Sequence, residues 1–341
     1  MREDYEGYDP DGPGLDNGNF LGLPQVASPA VRFIAVPFDA TVSYGAGTAG
    51  GPANVLAASR QLDVCVPGLA APWRAGFAWE TLDCASLHQA TSLRAVGRRA
   101  IEAAERGEQP APSDLEALEA AAEDIAACLR RRTAASLLRS EFPVVVGGEH
   151  SVALGAYGAC ADVGAYGILQ IDAHMDLRER YEGLVYSHAS VMHNALEEAN
   201  LVRIVQVGIR DYSPGEWRRA RACGARVATV LDDDLQRAKL TGQPFAELAA
   251  QIVGELPDAV WVSLDVDGLD PSLCAHTGTP VPGGLSFAEA DFLLAALAGS
   301  GKRVLGMDLV EVAGPPHEYE GSVAARLAYR FACRVVAARD E

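Results

Sequence analysis

The chain has 341 residues, of which 49% are hydrophobic and 22% are charged, a composition typical of a globular protein. Its 46 acidic residues outnumber 28 Lys and Arg residues, which gives a formal net charge of -18. A surface this acidic repels phosphate backbones and anionic lipids, so neither nucleic acid nor membrane partners are expected. No apolar run approaches the roughly 18 uncharged residues of a membrane span.

Cysteine usage and the N-terminal sequence predict a cytoplasmic protein. The seven cysteines are scattered, odd in number and free of any CxxC pair. This pattern is typical of a reduced protein without a disulfide framework. The opening MREDYEGYDPDGPG lacks the apolar segment of a signal peptide.

The first predicted segment is an irregular arm over residues 1–30, which are rich in Gly, Asp, Pro and Asn and for which a neighbouring subunit is one candidate contact. After it, short apolar runs alternate with helical patterns. Most runs are continuously apolar, which is typical of strands buried on both faces of a parallel sheet. The predicted strands are Val31–Val36, Leu62–Val66, Pro143–Val146, Tyr166–Ile171, Val202–Val207, Arg226–Leu231, Ala259–Leu264 and Arg303–Met307.

Helical periodicity is clearest over Ser113–Ser140 and Ser286–Leu297. Each segment opens with an S-x-x-E pattern, which is the signature of a capping box. Strands that alternate with helices predict an α/β fold with a mostly parallel sheet. Because no internal repeat or long linker interrupts the pattern, residues 31–341 are predicted to form a single domain.

Acidic residues and histidines follow four of the predicted strands directly. The segments are GGEHS at 147–151, DAHMD at 172–176, DVDG at 265–268 and DLVE at 308–311. In open parallel sheets, ligands bind outside the carboxyl ends of the strands. We therefore expect the four segments to converge on one site.

The types and spacing of these side chains predict a site for two metal ions. At a strand end alternate residues point to one side, so the polar residues of DAHMD project together, as do those of DVDG. Four adjacent carboxylates raise one another's pKa, and two divalent cations would balance their charge. A single Asp or His in such a place is usually structural, but the combination favours metal binding. The predicted ligands are His150, Asp172, His174, Asp176, Asp265 and Asp267. Carboxylates and imidazoles without thiolates suit Mn²⁺, while Ni²⁺, Co²⁺ and Zn²⁺ remain open.

The ordered motifs GGEHS, DAHMD, SLDVDGLDPS, TGTPVPGGLS and DLVEV resemble those of the ureohydrolases, the family of arginase, agmatinase and guanidinobutyrase. The resemblance extends from Val31 to Val336. It implies a three-layer α-β-α fold with an eight-stranded, mostly parallel sheet and assembly into homotrimers or homohexamers. It also implies a binuclear Mn²⁺ centre that hydrolyses a guanidino group to urea and an amine.

The resemblance also implies roles for individual residues. Asp172 and Asp265 would bridge the two metals, with His150 and Asp176 completing one site. His174 and Asp267 would complete the other. Glu311 matches the glutamate that holds the guanidinium, and His188 matches the histidine that shuttles protons. The alternative for His188 is a plain helix-start residue.

General chemistry supports these roles. A guanidinium carbon is a poor electrophile, so the attacking water must be activated, and two metals that share one water can turn it into a bridging hydroxide at neutral pH. A buried carboxylate such as Glu311 can hold a planar guanidinium through a two-pronged, charge-assisted contact. Asp176 and His188 are the candidates that give a proton to the leaving amine.

Departures from the family pattern concern the substrate tail. The DAHMDLRERYEG and SHAS segments are more similar to agmatinases than to arginases. Arg178 stands where arginases place an asparagine for the α-carboxylate, which disfavours free arginine; Arg178 either meets another carboxylate of the substrate or forms a structural ion pair. His276, His193 and His317 are expected near the cavity mouth, and His276, directly before TGTP, is expected to contact the tail. Agmatine, 4-guanidinobutyrate, another guanidino compound and guanidine itself remain open.

Two alternatives of a different kind stay open. A related metal amidohydrolase of the histone-deacetylase type uses one Zn²⁺ and lacks the DVDGLDP pair, so Asp267 argues against it. A non-catalytic partner subunit of a ureohydrolase complex would tend to lose ligands or catalytic groups. Here the ligand set, His188 and Glu311 are all present, which favours an enzyme.

Overall fold

The computed structural model describes Tyr5 and residues 7–315 and 318–339. In this part of the chain, eight strands form one sheet in the order β2-β1-β3-β8-β7-β4-β5-β6, and every neighbouring pair is parallel. The predicted α/β fold with an eight-stranded parallel sheet is confirmed. The strands are β1 (Val31–Val36), β2 (Phe77–Thr81), β3 (Phe142–Gly147), β4 (Tyr166–Ile171), β5 (Leu201–Ile209), β6 (Val227–Leu231), β7 (Ala259–Asp265) and β8 (Arg303–Val310).

One predicted strand is wrong and one strand was not predicted. The run Leu62–Val66 forms bends and irregular backbone, although Leu62, Val64 and Val66 are buried in the core. Its apolar side chains pack without backbone pairing, which hydropathy alone does not distinguish from a strand. The second strand is instead Phe77–Thr81, which lies at the edge of the sheet and pairs only with β1 among the described strands. As an edge strand it is half-exposed, so its sequence lacks a continuous apolar run.

Helices cover both faces of the sheet. In β3, Val144 and Val146 belong to one apolar cluster and Val145 to the other, because alternate side chains of a strand point to opposite faces. The helices are α1 (Gly51–Ser59), α2 (Ala85–His88), α3 (Ala90–Glu105), α4 (Pro112–Leu138), α5 (Leu154–Val163), α6 (Val191–Ala195), α7 (Pro214–Ala222), α8 (Asp232–Leu240), α9 (Phe245–Gly254), α10 (Phe287–Ala298) and α11 (Tyr319–Arg339). No described helix is both long and apolar enough to cross a membrane.

The two predicted capping boxes have different outcomes. At the start of α10, Ser286 Oγ accepts from the backbone N–H of Glu289, and the Glu289 carboxylate accepts from the N–H of Ser286, so this box is confirmed. The box at Ser113 is wrong. Helix α4 begins at Pro112, a residue suited to the first helical turn, so Ser113 already lies inside the helix.

Part of the N-terminal segment packs on its own chain. Between residues 7 and 30 the regular structure is a short 3-10 turn over Phe20–Gly22. The Phe20 ring is fully buried, with its centroid 4.0 Å from that of Phe33 and 6.2 Å from that of Trp79. These contacts attach the segment to β1 and β2. A contact with a neighbouring subunit stays a prediction.

The sheet order places the four polar segments side by side. Strands β3, β8, β7 and β4 are consecutive neighbours in the sheet. Because they are parallel, the residues that follow them all emerge at the same edge. The topology thus brings GGEHS, DLVE, DVDG and DAHMD to one location.

Candidate metal centre

Most of the site is built from turns just beyond the strands, while Asp265 is the last residue of β7. Strand β4 ends at Ile171, so the DAHMD segment does not continue the strand alternation that the sequence predicts. Its side chains converge because the backbone turns, with Asp176 at φ 54°. Glu311, beyond β8, has φ 63°. Such left-handed conformations are unfavourable for these residues and concentrate at functional sites, where surrounding contacts hold them. The carbonyl of Asp176 accepts the N–H groups of Met192 and His193.

Five of the six predicted ligands form two overlapping groups, and the sixth, Asp176, adjoins one of them. One group is His150, Asp172 and Asp265, and the other is Asp172, His174 and Asp267. Within each group the candidate ligand atoms lie within 4.8 Å of one another. Asp172 belongs to both groups. Asp176 adjoins the first, with its Oδ2 3.0 Å from Nδ1 of His150. The arrangement could therefore hold two neighbouring ions that share a carboxylate.

The surroundings of His150 match a cation site. Its Nδ1 lies 3.3 Å from an oxygen of Asp172, 3.0 Å from one of Asp176 and 3.4 Å from one of Asp265. This nitrogen is buried and has no hydrogen-bond partner among the described residues. Buried polar atoms without partners are rare, and one that faces three carboxylates has the donor set of a divalent cation.

The electrostatics of the cluster favour added positive charge. Burial and the charge of Asp172 raise the pKa of Asp176 to about 7. Burial, together with Asp267 and Asp172, raises the pKa of Asp265 well above its usual range. Burial also acts against the charge of Asp172, but its contact with His150 outweighs this and holds the pKa of Asp172 below the usual range. Without a cation, the ionised forms of Asp176 and Asp265 are therefore unfavourable, and a bound cation would stabilise them.

Glu311 lies beside this cluster, and one of its two carboxylate oxygens is already hydrogen-bonded to the backbone. Its Oε1 accepts the backbone N–H of His150 at 2.8 Å. Its Oε2 faces Gly278, where a Cβ atom would come within 3.3 Å of that oxygen. Glycine therefore leaves room on the cavity side of the carboxylate. Burial and the nearby Glu149 raise the pKa of Glu311 well above its usual range.

His188 also lines the cavity, and it is the first residue of a short 3-10 helix, His188–Ser190. Its ring meets Tyr181 edge-on, with the centroids 5.7 Å apart. Its Nδ1 is buried and has no partner among the described residues. Burial and the positive charge of His174 lower the pKa of His188 to about 4. A partly buried, neutral imidazole at this wall has one nitrogen that can accept a proton and one that can donate.

The mouth of the cavity contains residues that the sequence did not single out. Arg178 lines the cavity, and its guanidinium lies 3.5 Å from an oxygen of Glu216, which agrees with the structural ion pair considered for it. It also lies 4.9 Å from the centre of the Tyr181 ring. The unpredicted lining residues are Val42, Ser43, Tyr44, Tyr181, Ala189, Asp211, Tyr212, Glu216, Gly278 and Thr279. Tyr181, Ala189, Gly278 and Thr279 lie within motif segments of the sequence, whereas the other residues come from parts of the chain that no such segment marks.

Three histidines were expected at the mouth, and the two that the structure describes, His193 and His276, do not line the cavity. His276 Nδ1 is 2.6 Å from Oε1 of Glu320, and its side chain is 56% exposed. Neither His276 nor His193 is among the described residues that line the cavity. His317 lies outside the described residues. The position of His276 gives no support to the predicted contact with the substrate tail.

Comparison with known proteins identifies the family. A model described as the arginase family matches residues 29–337 of the chain. The chain belongs to the arginase family. This membership agrees with the fold and with the paired histidine and aspartate groups at the strand ends.

Individual members of the arginase family show the range of its relatives. The chain is 33% identical over 301 residues to an N(1)-aminopropylagmatine ureohydrolase from Thermus thermophilus, which covers 88% of each chain. It is 37% identical over 187 residues to a guanidinopropionase from Pseudomonas aeruginosa, covering 53% of this chain and 56% of that one. The structure of proclavaminate amidino hydrolase from Streptomyces clavuligerus superposes with a TM-score of 0.73 at 22% identity, covering 96% of this chain and 99% of the other. The last likeness concerns the fold.

Proposed function

We propose that the chain is a metal-dependent ureohydrolase that hydrolyses a guanidino compound to urea and an amine. The observation that carries this function is the pair of overlapping His and Asp groups that share Asp172 at the base of a cavity lined by Glu311. The similarity to proteins named N(1)-aminopropylagmatine ureohydrolase and guanidinopropionase supports the same reaction class. An agmatinase-like substrate is the first candidate, and a guanidinobutyrase-like one is the alternative.

The proposed centre holds two divalent cations. Asp172, which belongs to both groups, would be shared between them, and the resemblance to ureohydrolases adds Asp265 as a second shared carboxylate. His150 and Asp176 would complete one site, and His174 and Asp267 the other. Carboxylates and imidazoles without thiolates favour Mn²⁺. When bound, such ions supply water activated for attack at neutral pH and offset the charge of the buried carboxylates.

Glu311 binds and orients the guanidinium in this proposal. Its Oε1 is fixed by the N–H of His150, which stops the carboxylate from rotating. The side of the carboxylate next to Gly278 is open to a planar cation. A charge-assisted contact of this kind gives both affinity and orientation. The N–H that fixes Glu311 belongs to His150, a proposed metal ligand, so Glu311 lies next to the metal cluster. A guanidinium held by Glu311 would therefore have its carbon close to that cluster.

His188 and Asp176 handle the proton that leaves with the amine. His188 is at the cavity wall and Asp176 is at its base, so the two flank the space in which the substrate is expected. The neutral imidazole of His188 has one nitrogen that donates and one that accepts. This pair can hold a proton and pass it to the amine as the C–N bond breaks.

The substrate tail and the assembly are the finer parts of the proposal. Both a cation, Arg178, and an anion, Asp211, are at the mouth, so tails of either charge have a candidate partner. The resemblance to ureohydrolases supports a homotrimer or homohexamer. A non-catalytic partner subunit remains the alternative of a different class.

A urea-release assay tests the function. Guanidino compounds with neutral, anionic and cationic tails would be incubated with the Mn²⁺-loaded protein, and metal content per chain would be measured in parallel. We expect two ions per chain and urea from at least one compound, with chelated protein as the control. Two bound ions without urea from any compound would favour the partner subunit. A chain that binds no metal would refute the proposed centre.

A further inference from the structure

A buried chain of hydrogen bonds lies behind His150, on the side of the ring away from Asp172, Asp176 and Asp265. Ser263 Oγ is 2.8 Å from Nε2 of His150 and 2.9 Å from Oδ1 of Asp308. The hydroxyl of Tyr157 donates to the same Ser263 oxygen at 3.0 Å. Serine, aspartate and tyrosine are all 0% exposed. The hydroxyl of Ser263 therefore joins His150, Tyr157 and Asp308 in a network that is shielded from solvent.

The direction of each hydrogen bond follows from the groups involved. The indole N–H of Trp261 can only donate, and it does so to Oδ2 of Asp308 at 2.6 Å. Oδ1 of Asp308 accepts the hydrogen of the Ser263 hydroxyl at 2.9 Å. That hydroxyl has one hydrogen, so it accepts from every other partner. Nε2 of His150 must therefore carry a hydrogen and donate it to Ser263.

The hydrogen on Nε2 determines the state of the other ring nitrogen, Nδ1. With the hydrogen on Nε2, the neutral ring of His150 has a bare lone pair on Nδ1. This lone pair faces oxygens of Asp172, Asp176 and Asp265 at 3.0–3.4 Å. Lone pair and carboxylates repel one another unless a cation binds between them. The hydrogen-bond chain thus prepares His150 to bind a metal ion through Nδ1.

We propose that Asp308 and Ser263 are positioning residues that fix the tautomer and orientation of His150 for metal binding. This inference rests on the proposed metal centre. Metal-binding histidines are commonly oriented by an acceptor on their second nitrogen, and loss of that acceptor weakens metal binding. Here a serine stands between the histidine and the carboxylate. The sequence gives no sign of this link, since Ser263 and Asp308 are 45 positions apart.

The sheet makes this arrangement rigid. Ser263 on β7 and Asp308 on β8 are direct partners in the strand register. Trp261 reaches Asp308 because its neighbour on β8 is Gly306, where a Cβ atom would lie 2.4 Å from the indole ring. Any side chain at Gly306 would push the indole away. Both the acceptor for Ser263 and the donor to Asp308 are therefore fixed by strand pairing.

The variant Asp308→Asn tests the direction of the hydrogen bonds from His150 through Ser263 to Asp308. Its amide oxygen must face the N–H of Trp261, so its NH₂ group faces Ser263 and donates to it. The hydroxyl of Ser263 is then free to donate to Nε2 of His150, which moves the ring hydrogen to Nδ1 and blocks the metal. We expect the Kd for Mn²⁺, measured by calorimetry, to rise about 10- to 100-fold.

A second readout separates this role from a merely structural one. The protein has seven histidines, so ¹⁵N-histidine labelling gives an interpretable spectrum of the diamagnetic Zn²⁺-loaded form. In the unaltered protein, long-range ¹H–¹⁵N correlations should show His150 with its hydrogen on Nε2. This pattern should be lost in Asp308→Asn. The matched control is Asp232→Asn, which changes a buried aspartate that accepts from Gly284 N–H and does not contact His150.

The outcomes are distinct. A raised Kd and a changed tautomer in Asp308→Asn, with Asp232→Asn unchanged, support the inference. An unchanged Kd in Asp308→Asn, or an equal rise in the control, overturns it. If Asp308→Asn does not fold, Ser263→Ala decides: a raised Kd supports the role, and an unchanged one overturns it. Failure of the unaltered protein to bind any metal would overturn the proposed function as well.

Discussion

The base and the mouth of the cavity differ in how they are built. The base is formed by buried side chains at the ends of neighbouring strands, and Asp172, Ser263 and Asp308 are 0% exposed. The mouth is formed by loop residues such as Tyr44, which is 83% exposed, and Asp211, whose side chain is 69% exposed. Rigid elements hold reacting groups more accurately than loops do, while loops adapt more easily to different ligands. The difference suggests that the base determines the reaction and the mouth determines which substrate enters.

The division between base and mouth leads to a general expectation for variants. A change at the base should affect all guanidino substrates to the same extent, because each presents the same group to the metal cluster. A change at the mouth should alter the order of preference among substrates and leave metal content alone. The four predictions below are arranged from the largest expected effect to the smallest.

The largest effect is expected at Asp172, the carboxylate common to both ligand groups. Asp172→Asn removes a negative charge from both proposed sites, so we expect loss of bound metal and of urea release together. Because metal chemistry contributes several kcal/mol to such reactions, activity should fall by about a thousand-fold or more. Metal analysis and urea assays check this, and circular dichroism confirms that the variant folds. Two tightly bound ions with normal turnover would refute the ligand assignment.

A smaller effect on the reaction, without loss of metal, is expected at Glu311. Glu311→Gln keeps the oxygen that accepts from the N–H of His150 but removes the charge that holds the guanidinium. Hydrogen bonds to charged groups contribute about 1.5–3 kcal/mol, so kcat/KM should fall about 10- to 100-fold for every substrate. Metal content should stay at the level of the unaltered protein. A collapse of metal content would show that Glu311 is a ligand instead.

The base was predictable from the sequence for the same reason that it is rigid. Parallel strands bring their carboxyl ends to one edge, so a motif placed directly after a buried strand has a known position in space. The details still differed: DAHMD converges through a turn at Asp176 and not through strand alternation. The Ser263 link to Asp308 depends on strand register, which no local pattern reveals.

The mouth was not predictable because its residues meet only through the paths of separate loops. Tyr44 and the adjacent residues Asp211 and Tyr212 come from separate loops and carry no common motif. His276, by contrast, stood next to a family motif and was expected at the mouth, but it pairs with Glu320 instead. Likewise, Phe77–Thr81 was missed because an edge strand needs little apolar sequence. Nearness to a motif in sequence is a weak guide where loops determine the position.

At the mouth, Arg178 should disfavour L-arginine as a substrate. Its guanidinium lines the cavity where arginases are expected to place an asparagine for the α-carboxylate, and it is already paired with Glu216 at 3.5 Å. We expect Arg178→Asn to raise the kcat/KM for L-arginine about tenfold relative to other guanidino compounds, which corresponds to about 1.4 kcal/mol. Metal content should not change.

The neighbouring Arg180 provides the control for this experiment. It is two residues away, its side chain is 58% exposed, and its nearest acidic partner is Glu119 at 4.0 Å. Arg180→Asn makes the same chemical change outside the cavity lining, so the substrate order should stay as it was. If the unaltered protein already turns over L-arginine as fast as its best shorter or decarboxylated analogue, the role given to Arg178 is wrong.

The smallest effect is expected at His276, where sequence and structure lead to opposite expectations. The sequence predicts that His276→Gly changes the order among substrates with neutral, anionic and cationic tails. In the structure the imidazole is paired with Glu320 and does not line the cavity, so the order should stay the same. Because the imidazole of His276 is 56% exposed, loss of the pair should cost at most about 1 kcal/mol of unfolding free energy, measured by denaturant titration. Metal content should also be unchanged. A reordered substrate preference in His276→Gly, with intact metal binding, would mean that this loop reaches the mouth when substrate binds, and the division between base and mouth would have to include it.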